Sequence, residues 1–393
     1  MNLKLGILSS HPIQYLTPVF RALAASPGVD LTVLYGMRPT PAQQGSGFGV
    51  GFQWDTDLTS GYNHEWLENI SKQPDLAAFG GVDTPGVAQA IGSGRFDAFL
   101  VLGWNKLCFW QAMRAAWAAG TPLMVRGDSN LRTPVPWPRR LAREWTHRRF
   151  IGRFDACLAV GSLSADYFKH FGARRVFRSP HAVDNEWFAV QTAQARVRRL
   201  YLRRRWGLPE NSVTFLFVGK LEDKKRPEDI LKALSALTAN AADRSAVSVL
   251  MAGDGPLRGR LETAAAKRSL LVRFTGFLNQ SQMPEAYAAA DARILPSDAR
   301  ETWGLAVNEA MASGLPVLVS DRVGCAPDLV AGLSTGAVFP CGDTKALSND
   351  MRRFLEPAVR AEAAHRALET VRGGFTVQSA AAGILNAARE VRR

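Results

Sequence analysis

The sequence predicts an α/β protein built as two doubly wound, parallel-sheet units. Three observations carry this expectation. The chain has 393 residues, 47% of them apolar. At roughly 100–200 residues per domain, that suits two cores. Short apolar runs alternate with helix-like stretches in both halves, the pattern of helices covering both faces of a parallel sheet. Several runs are apolar on both faces, as strands buried on both sides must be.

In the first half the runs are Leu3 to Ser9, Leu31 to Tyr35, Ala98 to Leu102, Leu123 to Val125 and Ala156 to Val160. In the second half they are Thr214 to Val218, Ser248 to Ala252, Val272 to Thr275, Ala292 to Leu295 and Pro316 to Ser320. Helical spacing recurs in Ile230 to Ala239, Leu257 to Leu270 and Met283 to Ala290. The boundary is expected within residues 185–211, where an arginine-rich helix leads into the turn-rich link Gly207-Leu208-Pro209-Glu210-Asn211. This predicts domains over 1–190 and 191–376, with a last helix over 377–393 packing back on the first. Gly36 to Gly61 reads as a long loop, a kind of segment that often carries function.

No stretch approaches the roughly 20 apolar residues of a spanning helix. The first ten residues alternate like a strand and lack a signal peptide's plan. A cytoplasmic chain is therefore expected. Cys108, Cys157, Cys325 and Cys341 are widely spaced, so buried, reduced thiols are expected and no zinc site. The net charge of +13 is local in origin. Arg132 to Arg153 holds seven arginines against one acid, and Arg196 to Arg205 holds six and none. In the first stretch Trp137, Trp145, Phe150 and Phe154 interleave with the arginines. That mix suits an interfacial helix on an anionic membrane surface. No recognisable nucleic-acid-binding motif accompanies either stretch, so no nucleic acid partner is expected.

Three segments of the second half carry chemistry. In Val218-Gly219-Lys220-Leu221-Glu222-Asp223-Lys224-Lys225-Arg226-Pro227, Gly219 turns the chain at a strand end. Lys220 and Lys225 then stand at the edge where open α/β sheets bind ligands, and two cations there suit a diphosphate. Next, Gly253-Asp254-Gly255-Pro256 follows a strand. It lacks the third glycine of a dinucleotide fingerprint, so a redox cofactor is not expected. Gly253 and Gly255 instead read as a tight turn that brings backbone close to a ligand. The strongest segment runs from Leu295 to Pro316. Glu301 lies in its loop, and Glu309 lies on an apolar helix face. An unpaired carboxylate there is costly, so it calls for a partner, either ribose hydroxyls or a structural group. Thr302 leads into the backbone amides of Trp303, Gly304 and Leu305, which open that helix and suit phosphate.

These segments resemble the retaining glycosyltransferases of family four, which have the GT-B fold of two Rossmann-like domains facing a cleft. Glu301 and Glu309 occupy that family's Glu-x7-Glu motif. Gly219-Lys220 matches its Gly-Arg phosphate motif, with Lys220 for the usual arginine and Arg226 for a glycine. Gly253-Asp254-Gly255-Pro256, Phe274-Thr275-Gly276-Phe277 and Ser179-Pro180-His181-Ala182-Val183-Asp184 match further motifs in order. The first half resembles a subset opening His-Pro-Ile-Gln-Tyr, here His11 to Tyr15, and also carries Trp54-Asp55 and Gly61-Tyr62.

The resemblance implies transfer of a sugar from a nucleotide-sugar donor, with retention, to a glycan or lipid-linked acceptor in cell-surface polysaccharide, lipopolysaccharide or glycolipid synthesis. Lys220, Lys225 and the amides near Gly304 would hold the diphosphate. Glu301 would face the sugar, and Glu309 the ribose. His11 would hydrogen-bond in the cleft or cap the next helix. The fourth strand ends Arg126-Gly127-Asp128 without the histidine many members carry there. Asp128, with Arg126 beside it, is then the candidate acceptor-side residue, its other reading being a helix cap. Asp55-Thr56-Asp57 spells D-x-D but follows no buried strand, so neither metal nor cofactor is expected. The rival readings are a GT-B epimerase or phosphorylase, and a non-catalytic basic protein on membrane or nucleic acid.

Overall fold

A computed structural model describes residues 2–239 and 245–392, leaving Met1, residues 240–244 and Arg393 outside the described residues. The chain divides into two compact units.

The first unit comprises Met1–Gln44, Phe52–Ala182 and Val377–Arg393. Its strands are β1 (Leu3–Ser9), β2 (Val29–Tyr35), β3 (His64–Trp66), β4 (Ala98–Val101), β5 (Leu123–Gly127), β6 (Ala156–Ala159) and β7 (Val176–Arg178). They form one parallel sheet in the order β3-β2-β1-β4-β5-β6-β7. β4 and β6 are buried throughout, because helices cover both faces. On one face, the helices Thr17–Ala24 and Val377–Val391 close a core around Leu5, Ile7 and Leu100. On the other, the helix Leu107–Ala119 packs over Leu8, Phe99 and Val101.

The second unit comprises Gly45–Gly51 and Val183–Thr376. Its strands are β8 (Val213–Val218), β9 (Val247–Ala252), β10 (Val272–Gly276), β11 (Ala292–Leu295), β12 (Val317–Ser320) and β13 (Gly336–Phe339). They run parallel in the order β10-β9-β8-β11-β12-β13. The division falls before the helix Asn185–Arg196, which belongs to the second unit. In each sheet the strand order reverses beside the first strand of the unit, at β1/β4 and at β8/β11. Open α/β sheets bind ligands just beyond such points.

Most arginines of residues 196–205 meet partners within their own unit. Arg203, only 2% exposed, donates to Asp291 and Thr214 side chains and to the carbonyls of Ala289, Pro209, Glu210 and Ser212. Arg199 also pairs with Asp291, Arg198 and Arg205 with Glu285, and Arg204 with Glu210. Arg196 donates to the Ser313 carbonyl. Arg199 and Arg203 fasten the helix Arg199–Arg205 to its own unit, whereas Arg198 and Arg204 stay exposed beside their partners.

The helix Trp137–Ile151 behaves differently. Trp137, Leu141 and Trp145 are 68%, 54% and 60% exposed. Spaced four apart, they form one stripe. Phe150 and Phe154 are buried and belong to the core rather than to that surface. Of the cysteines, Cys108, Cys157 and Cys325 are buried, whereas Cys341 is half-buried; all four are free thiols. No described helix is long and apolar enough to cross a membrane.

Candidate functional site

Two places gather the residues singled out in the sequence, one in each unit. In the second unit they stand around the β8/β11 switch point.

The turn after β8 and the turn after β9 pack backbone to backbone. Gly253 has φ +136°, and a Cβ there would lie 2.0 Å from the Gly219 carbonyl oxygen, so only glycine fits. Arg226, at the position the resemblance gives to glycine, has φ +50°. Its guanidinium is held by Asp229 at 2.7 Å. Gly304 has φ +93°, and a Cβ there would meet Leu295 at 2.9 Å. That turn directs the chain from β11 into the helix Ala306–Ala312. The helix begins at Ala306, so the amides of Trp303, Gly304 and Leu305 precede its first turn. The Trp303 indole is buried and donates to Asn308 at 2.9 Å, which makes that side chain structural.

Lys225 and Glu301, given separate partners above, form one ion pair, both mostly buried. Ser297 also donates to Glu301 at 3.2 Å. Lys220 has different partners. Its Nζ donates to the Ser46 carbonyl at 2.6 Å and lies over the Phe48 ring, in the segment Gly45–Gly51. Burial lowers its pKa, opposed by Glu222. Glu309 is packed about by protein while still reaching the surface in part. It accepts a 2.6 Å hydrogen bond from the Tyr287 hydroxyl. Burial raises its pKa, and Tyr287 and Arg293 oppose that rise. Sequence reasoning missed Tyr287, which carries no motif.

In the first unit a cavity of about 220 Å³ opens beyond β1, β4, β5 and β6. Its lining includes Tyr15, Trp104, Asn105, Arg126, Asp128 and His181. Arg126 is 7% exposed, and its guanidinium donates to Ser179 and to the Pro180 carbonyl, the latter at 3.0 Å. Asp128 lines the cavity and does not cap the following helix, whose N-cap is Pro136. The rings of Tyr15 and His181 meet edge to face at 5.5 Å. Burial pushes the Tyr15 hydroxyl up to about 12, with Asp128 adding to the rise and Arg126 opposing it. Burial, then Arg126, holds His181 well below the usual histidine range, so it is neutral.

His11 stands outside that lining, with Nδ1 3.0 Å from the Ser10 hydroxyl. It does not cap the helix Thr17–Ala24, whose N-cap is Leu16. Burial, then Lys106, lowers its pKa to about 4. Asp57 of the D-x-D sequence accepts from the Thr59 and Ser60 amides and closes a turn. Among the described residues no cluster of three potential metal-ligating acids, histidines or cysteines exists. Tyr15, Trp104, Asn105 and His181 were not singled out as site residues. Tyr15 and His181 do lie inside the quoted resemblances, which was the available signal.

Along their length, solved structures match this arrangement. A structure of HepE from Anabaena with UDP and glucose superposes with TM-score 0.71 at 18% identity, covering 98% of this chain and 99% of that one. A glycosyltransferase from Rickettsia africae superposes with TM-score 0.75 at 14% identity, covering 99% and 98%.

The fold is GT-B.

In this GT-B chain, residues 199–370 match the family Glycosyl transferases group 1. A GDP-mannose-dependent alpha-(1-6)-phosphatidylinositol dimannoside mannosyltransferase of Mycobacterium tuberculosis is 30% identical over 256 residues, 63% of this chain and 62% of that protein. A D-inositol 3-phosphate glycosyltransferase of Saccharomonospora viridis is 32% identical over 299 residues, 68% and 66%. The chain thus spans less than two thirds of the length of the first curated relatives it matches.

Proposed function

We propose that this protein is a nucleotide-sugar-dependent glycosyltransferase that works with retention and holds its donor on the second unit. The carrying observation is the set of fixed charges at the β8/β11 switch point, Lys225 with Glu301 and Glu309 with Tyr287. They lie within the segment that matches Glycosyl transferases group 1. Glu309 accepts the ribose hydroxyls, Lys225 and Lys220 meet the diphosphate, and Glu301 faces the sugar. In transfer, the bond from the anomeric carbon to the diphosphate oxygen breaks. The acceptor oxygen bonds to that carbon, and its proton leaves with the diphosphate. The protein's part is positioning and charge stabilisation by groups already in place. With two lysines available for the leaving group, this reading calls for no metal and no cofactor.

The first unit's cavity takes the acceptor. Trp104 gives a sugar ring an apolar face, and Asn105, Asp128 and Arg126 give its hydroxyls partners. The relatives named for lipid-linked acceptors favour a glycan or glycolipid intermediate. The stripe Trp137, Leu141 and Trp145, flanked by Arg139, Arg140, Arg148 and Arg149, then rests on the anionic membrane surface that carries such an acceptor. On this reading the enzyme works in the cytoplasm, peripheral to the membrane.

The test is thermal unfolding with UDP-, GDP- and ADP-sugars, for wild type and Glu309→Ala. Stabilisation by one nucleotide class, lost in Glu309→Ala, is expected. The absence of stabilisation by any nucleotide overturns the reading.

A further inference from the structure

β11 is apolar except for Arg293. The strand is central, with Arg293 registered against Leu216 of β8 and Val317 of β12. Strand neighbours point to opposite faces. Ile294 enters the apolar core of the unit. Arg293 therefore lies on the other face, 1% exposed. Its Nη2 makes one long hydrogen bond, 3.4 Å to the Val218 carbonyl. Its Nε and Nη1 are buried without a hydrogen-bond partner. A guanidinium stays charged even when buried, and leaving its N–H groups unmet is costly. A cation kept at such a cost needs an electrostatic reason.

The groups facing it are Tyr287 from the helix Met283–Ala289, Glu309 from the helix Ala306–Ala312, Cys325 and Glu301. Burial keeps the phenol and the thiol neutral by raising both. Glu301 already has Lys225. Glu309 has no cation at direct contact among the described residues, only the Tyr287 hydroxyl. Arg293 and Glu309 thus act on each other across a poorly solvated space, where a field is weakly screened.

We propose that Arg293 is a positioning residue for Glu309, a buried cation on β11 that keeps this carboxylate ionised and able to accept the donor's ribose hydroxyls. This rests on the ribose reading of Glu309. The buried Nε and Nη1 do not reach a ligand, so Arg293 acts through Glu309 and not by contact. Tyr287 completes the set by fixing one carboxylate oxygen.

The experiment is titration calorimetry of UDP and GDP between about pH 5 and 8, on wild type, Glu309→Gln, Arg293→Met, Arg293→Lys and Arg293→Met/Glu309→Gln. An opposite charge nearby lowers a carboxyl pKa by about 1–3 units. In Arg293→Met the pH at which half the nucleotide affinity is lost should therefore rise by about one unit or more. Arg293→Lys should restore the wild-type midpoint. In the Glu309→Gln background, Arg293→Met should change nothing further. If Arg293→Met does not melt cooperatively, Arg293→Gln takes its place. An Arg293→Met profile parallel to wild type overturns the proposal, as does an Arg293→Lys midpoint that shifts equally. Unchanged affinity in Glu309→Gln instead defeats the ribose reading itself, and so marks that failure apart.

Discussion

The two candidate sites occupy matching places in their sheets yet are built from different materials. At the β8/β11 switch point the second unit sets charged groups, Lys225 against Glu301 and Arg293 facing Glu309. At the β1/β4 switch point the first unit sets rings around its cavity, with Trp104 and the pair of Tyr15 and His181. Burial keeps His11, His147 and His181 of that unit uncharged. A site of fixed charges suits a ligand of constant ionic form. A site of rings with a few polar side chains among them suits a hydroxylated one, recognised by shape and hydrogen bonds.

The comparison breaks first at Lys225. If its charge stabilises the leaving diphosphate, Lys225→Ala should lower kcat by about 10²–10³, as loss of a preorganised charge-stabilising group does. Steady-state kinetics at saturating donor checks it. An unchanged kcat would make the ion pair purely structural.

Acid should separate the units next. His11 and His147 both have folded pKa values of about 4, against 6.5 in the unfolded chain. The unfolded chain therefore takes up protons that the folded unit refuses. Stability contributed by the neutral rings is whole above pH 6.5 and is lost as pH falls to about 4. The loss should be on the order of 3 kcal/mol from His11, with a smaller share from His147, which solvent screens in part. Hydrogen exchange should show the first unit opening before the second as pH falls through it.

Trp104→Phe sharpens the comparison on the ring side. It should raise the acceptor KM by a factor of roughly 5–10, about 1 kcal/mol. The thermal shift with nucleotide should stay unchanged. The smallest effect per residue is on the exposed helix. Each of Arg139, Arg140, Arg148 and Arg149 changed to Ser should weaken liposome sedimentation by about 1 kcal/mol of binding. Sedimentation unaltered in the fourfold variant would remove the membrane role. Arg198→Ser and Arg204→Ser should leave it untouched, because those charges are met within their own unit.

What was legible follows the range of the interactions. The buried central strands read out of the sequence because each needs an unbroken apolar run. Edge strands β3 and β7 did not, because each is only three residues long and none of those residues is buried; β13 was missed although Gly336–Phe339 is apolar. Glu301 and Glu309 were visible because their spacing is local. Their partners were not, since Lys225 lies 76 residues from Glu301 and Tyr287 lies 22 from Glu309. The arginines of residues 196–205 looked like a binding surface for the same reason. The acids that meet most of them, Glu285 and Asp291, come from a distant helix and the bend before β11.

By itself, then, the sequence determined the two-unit α/β plan, the glycine turns and the carboxylate pair, all set by periodicity and short spacings. Tertiary structure alone decided which charges are spent internally, which aromatic stripe is left bare, and that Arg293 lies buried opposite Glu309. Those outcomes depend on which sheet face and which helix meet after folding, and no local spacing encodes that.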